Sequence, residues 1–105
     1  MGAQIFYSES KHKDIETAFR LARRSAQLEY GNGGYTGTIA EKYDYVVISA
    51  KPMLVSDAEE LAKELIWNDD PRVSDKWGAA GAIAIADPTT PNEISGWLFF
   101  GVASS

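Results

Sequence analysis

Tyr43-Asp44-Tyr45-Val46-Val47-Ile48-Ser49-Ala50-Lys51-Pro52, running into Met53-Leu54-Val55-Ser56-Asp57-Ala58-Glu59-Glu60-Leu61-Ala62-Lys63-Glu64-Leu65-Ile66-Trp67, is the stretch that decides the fold. Its first half is β-branched and aromatic, side chains that pack on a pleated surface and crowd a helix, and it predicts a strand over Tyr43–Ser49. Pro52 is expected to stop that strand. The second half has the Ser56-x-x-Glu59 pattern of a capping box, in which each side chain satisfies a free backbone N–H. Behind it Ala58, Leu61, Ala62, Leu65 and Ile66 fall at i, i+3, i+4, i+7 and i+8, which predicts a helix over Asp57–Trp67. Pro71 ends it, because the residue before a proline is pushed out of helical geometry.

Working outward, Ala3–Tyr7 reads as a first strand. Ile15, Ala18, Phe19, Ala22 and Ala26 recur at helical spacing within a predicted helix from Lys11 to Glu29. Gly31 lies just past its end, where a left-handed cap favours glycine. Downstream, Ala79–Ala86 and Gly96–Ala103 read as two further strands joined through Asp87–Asn92. The order β-α-β-α-β-β predicts an α/β (α+β) domain with two helices packed on one face of a small mixed four-stranded sheet. At 105 residues and 45% hydrophobic content, one compact domain over residues 1–105 is expected, with a homo-oligomer as a natural supplement to its stability.

The formal net charge of −5 argues against general nucleic-acid binding, which needs a clustered excess of Lys and Arg. Arg20, Arg23 and Arg24, with Lys11, His12 and Lys13, read as the solvated face of the first helix. There is no cysteine and one histidine, which removes thiol chemistry, disulfides and multi-histidine metal sites. The apolar runs are far shorter than the ~20 residues of a membrane helix, and the first residues do not resemble a secretory signal. A soluble, cytoplasmic protein is expected, with no metal and no cofactor.

The candidate site begins in Tyr30-Gly31-Asn32-Gly33-Gly34-Tyr35-Thr36-Gly37-Thr38, which holds four of the nine glycines. It lacks the lysine of a phosphate loop and lies between a helix and a strand, the reverse of that motif's order. Glycines allow close approach of a ligand, while tyrosines and threonines supply stacking area and hydrogen bonds. A second candidate is Asn68–Gly78. Asp69 and Asp70 read as turn formers, and Trp77 reads as either a core side chain or the far wall of an aromatic enclosure. In the second case Tyr30, Tyr35 and Trp77 stack on a flat heterocycle, Asn32, Gly33, Gly34, Thr36 and Thr38 approach and hydrogen-bond it, and Arg72 and Lys76 meet phosphate. Glu29 and Glu41 flank the glycine-rich segment as candidate acid and base, without a recognisable catalytic motif around them.

The segments Gly33-Gly34-Tyr35-Thr36-Gly37-Thr38-Ile39-Ala40-Glu41-Lys42 and Asp75-Lys76-Trp77-Gly78, with Ala80-Gly81, resemble small uncharacterised proteins encoded by bacteriophages and some bacteria. The likeness covers roughly the central half of the chain. It implies a phage-type accessory protein, counter-defence as a class of function and the host cytoplasm as its location. Together the observations set out a non-enzymatic binding protein holding a small nucleotide-like ligand. An inhibitor of a host protein is the alternative, and a small hydrolase using Glu29 or Glu41 comes third.

Overall fold

β1 (Ala3–Ser10), α1 (Ile15–Tyr30), a 3-10 turn (Ile39–Glu41), β2 (Tyr45–Met53), α2 (Val55–Trp67), β3 (Ala80–Ala86) and β4 (Ile94–Ser104) follow one another in a computed structural model that describes residues 2–31 and 33–105. Among the described residues the strands form one sheet in the order β1-β4-β3-β2. β4 pairs antiparallel with both β1 and β3, whereas β2 and β3 are parallel. Thus β1, β2 and β3 run the same way and β4 alone is reversed. The class, the mixed sheet and the element order are those read from the sequence.

The helices, however, do not share a face. Ala18, Phe19, Ala22 and Ala26 of α1 pack with Ala82, Ala84, Trp97 and Phe99, whereas Ala58 and Ala62 of α2 pack with Ile83, Ile85, Leu98 and Phe100. Alternate residues of a strand point to opposite sides, so these two clusters are the two faces of one sheet. The reason is topological. The chain passes from β1 at one edge to β2 at the other over α1, then turns back from β2 to β3 over α2. Crossovers between parallel strands are right-handed in about 98% of cases, so reversing the direction of travel moves the helix to the other face.

Local chemistry explains the element ends. Asp14 accepts from Thr17 N at 3.0 Å and from Thr17 Oγ1 at 2.8 Å, which caps α1 three residues after the predicted start. Gly31, at φ 90°, closes its far end with its N–H on the Gln27 carbonyl. α2 opens earlier than predicted, at Val55, with Leu54 as its cap and no capping side chain. Ser56 therefore lies inside the first turn, and the Ser56/Glu59 box goes unused. β2 also runs through Pro52 instead of stopping before it. An edge strand tolerates a residue without an N–H, and the β2–β3 register is irregular between Ser49 and Met53.

Candidate functional site

The segments before β2 and before β3 must meet, because both feed parallel neighbouring strands from the same end of the sheet. Lys42, just after the 3-10 turn, is only 1% exposed. Its Nζ donates to the carbonyls of Gly78 at 2.9 Å, Asp75 at 3.2 Å and Lys76 at 3.4 Å. Burial lowers its pKa below the usual lysine value, partly offset by the Asp75 charge. Within the second loop Asp75 Oδ1 accepts from Trp77 N at 2.9 Å, and Gly78 N donates to the Asp75 carbonyl. One ammonium thus holds the backbone of Asp75-Lys76-Trp77-Gly78 from below.

The glycine-rich loop is tied down with equal care. Glu41 Oε2 accepts from Thr36 Oγ1 at 2.7 Å and from Thr36 N at 3.1 Å. Burial raises the Glu41 pKa, but the two Thr36 bonds, the Tyr35 backbone and Arg23 outweigh it and leave the pKa lowered. Thr38 Oγ1 lies 2.8 Å from Thr36 Oγ1 and accepts from Ala40 N, capping the 3-10 turn. Gly37 N donates to the Ser104 carbonyl at 2.8 Å, fastening the loop to the end of β4. Gly37 has φ +72°, and a side chain there would run into Gln4.

These ties present two aromatic rings. Tyr35, in the left-handed region at φ 58°, meets Trp77 edge to face, with centroids 6.4 Å apart and planes at 86°. A non-glycine residue rarely takes that conformation. Tyr35 is 52% exposed and Trp77 63%, so the core position considered for Trp77 is not the one it occupies. Lys76 Nζ sits 5.4 Å from the Trp77 ring centroid. The two rings touch and stand perpendicular, leaving no slot between them for a flat molecule.

The other predicted site residues divide in two. Tyr30, Thr36 and Thr38 line a cleft of about 620 Å³ between β1 and the second half of α1. Gly33 and Gly34 border open space, and Asn32 lies outside the described residues. Arg72 grips Asp70, with Nε and the second guanidinium nitrogen on its two carboxylate oxygens at 3.0 and 2.9 Å. This pairing holds the Asp70 carboxyl down to about 2. Glu29 lines the cleft, whereas Glu41 is engaged by Thr36. Nor is the arginine face of α1 wholly solvated, since Arg23 donates to the Ala40 carbonyl and stacks on Tyr43.

Sequence reasoning missed Lys42. A lysine after a helical turn reads as a surface residue, and only the fold brings three carbonyls around its amine. The structure nevertheless unites the two segments singled out as distinctive. Lys42 and Tyr35 of the first bind the backbone and the indole of the second. Compared with protein families, curated proteins and solved structures, the chain matches none.

Proposed function

We propose that this chain is a binding protein that engages another protein through the Tyr35–Trp77 pair. The observation carrying the proposal is that both rings are more than half exposed while their loops are fixed, that of Tyr35 by Glu41 and the Gly37–Ser104 bond and that of Trp77 by the buried Lys42. Aromatic side chains held rigidly at a surface supply contact area at little entropic cost, and binding hot spots are enriched in Trp and Tyr. The resemblance to phage-encoded proteins makes a host protein the expected partner and counter-defence the expected class of role. Cross-linking in the host cell followed by titration of the recovered partner tests this. The double change Tyr35→Ala and Trp77→Ala is expected to weaken binding at least about tenfold at unchanged melting temperature, while Leu54→Ala, at the other end of the molecule, has no effect. Cross-links that avoid Trp77, or undiminished affinity of the double variant, rule the reading out.

A second reading rests on the cleft. Its volume of about 620 Å³ suits a small molecule, and Tyr30, Thr36 and Thr38 offer it stacking and hydrogen bonds. Among the described residues the charged residues lining it are Glu9 and Glu29, both acidic, so the lining offers phosphate no cation. A nucleoside-like ligand therefore fits better than a nucleotide. In a thermal-shift comparison nucleosides are expected to stabilise the protein more than their phosphates, and Tyr30→Ala to abolish the shift. A flat response to both sets removes this reading.

A further inference from the structure

The same cleft has a wall that a small-molecule pocket does not need. Six consecutive residues of β1, Gln4–Glu9, line it. Successive side chains of a strand point to opposite faces, so every second residue of this run reaches the cleft through its backbone, beside the strand's outer edge. That edge is open, because among the described residues β1 pairs with β4 alone. Facing it are Ala22, Ser25, Ala26 and Glu29 of α1, at i, i+3, i+4 and i+7, mostly small side chains that leave room beside the strand. Thr36-Gly37-Thr38 closes one end.

The two edges of the sheet are treated differently. β2 carries Lys51 and Pro52 and pairs irregularly with β3, devices that keep another chain from adding to an edge. β1, Ala3-Gln4-Ile5-Phe6-Tyr7-Ser8-Glu9-Ser10, has no lysine and no proline and stays in unbroken register with β4 over all eight residues. Ile5 and Tyr7 on it are exposed. Unpaired N–H and C=O groups along such an edge form a template for one more strand.

We infer that the cleft takes an extended, basic peptide segment of a partner protein, which adds to β1 as a fifth strand. Gln4–Glu9 spans roughly 17 Å at ~3.3 Å per residue, the length of a six-residue strand. Glu29 lies on the second half of α1, beside the end closed by Thr36–Thr38, and Glu9 lies five residues along β1 from Gln4. These carboxylates select a segment with Lys or Arg toward each end. A second copy of the chain is disfavoured as occupant, because it brings the same two carboxylates and a like net charge of −5. The inference stands apart from the Tyr35–Trp77 surface, and either can fail while the other stands.

The test uses the whole chain and a set of labelled hexapeptides with alternating β-branched and polar residues and Lys at both ends. Fluorescence anisotropy and amide exchange are read together. Expected are saturable binding, slowed exchange along Gln4–Glu9, and at least a tenfold loss of affinity in the Glu9→Gln, Glu29→Gln double variant. N-methylation of alternate peptide nitrogens, which leaves the protein untouched and removes the strand's donors, is expected to abolish binding. The Tyr35→Ala, Trp77→Ala variant is expected to bind the peptides as the parent does. The inference is overturned by no binding across the set, by equal binding of N-methylated or Glu-ended peptides, or by protection of β1 that rises with protein concentration alone, which identifies a dimer edge.

Discussion

Replacing Lys42 by Met is expected to lower the unfolding free energy by about 3 kcal/mol, because three carbonyls lose a charged donor inside the structure. For a domain of this size that is a fall of about 15 °C in melting temperature. Calorimetry checks it, and a loss under about 1 kcal/mol, the scale of an ordinary substitution, rules it out. Lys42→Arg is expected to rescue little, since a planar guanidinium does not fit a compact ammonium's place. The pH dependence has a definite sign. Because the folded pKa of Lys42 lies below its usual 10.5, the folded state binds fewer protons than the unfolded chain between those values. This lysine's contribution to stability therefore rises with pH toward 10.5, and Lys42→Met removes that rise. The comparison belongs below about pH 10, before Tyr7 and Tyr45, whose pKa values are raised from 10.0, oppose it.

Gly81→Val is expected to cost about 3 kcal/mol and to loosen the loop that carries Trp77. A Cβ at Gly81 would stand 2.6 Å from the Phe100 ring and 2.8 Å from Val73 Cγ1, both on fully buried side chains. Phe100 and Val73 both belong to the α2-side core, so neither yields without cost, and it is through Val73 that the strain reaches the loop. Val73 begins the run to Asp75-Lys76-Trp77-Gly78, and its N–H is held by the Asp70 carbonyl. Displacing it strains the carbonyl positions on which Lys42 depends. Denaturant unfolding gives the cost and the Trp77 indole resonance reports the loop. A Gly81→Ala protein within about 0.5 kcal/mol of the parent, with an unshifted indole, contradicts the packing described.

Several elements were legible because their signals are local. The spacing of Ile15, Ala18, Phe19, Ala22 and Ala26 marks α1, and Gly31 caps it as read. The alternation of Ala80, Ala82 and Ala84 with Ile83 and Ile85 marks β3, buried along its whole length. Local signals misled where tertiary context outweighed them. Ser56 and Glu59 form a capping pattern, yet the turn opened by Leu54 takes the helix start. Pro52 is a strand breaker only where its missing N–H is needed, and at the β2 edge it is not. The glycine-rich segment and Trp77 were marked as a site by their residue types, and they do come together. The aromatic enclosure was not readable, because ring orientation depends on the φ of Tyr35 and on the Lys42 clasp.

By itself the sequence determined which segments are helix and strand, their order, the mixed α/β class and the two segments that carry unusual chemistry. These follow from periodicity, caps and turn residues, which act over a few positions. Only the tertiary structure decided that the helices lie on opposite faces, that Lys42 is buried among three carbonyls, that Arg72 is spent on Asp70 and that β1 keeps an open edge beside a cleft. Each of these depends on which distant residues meet, and that is set by crossover handedness and strand pairing across the whole sheet.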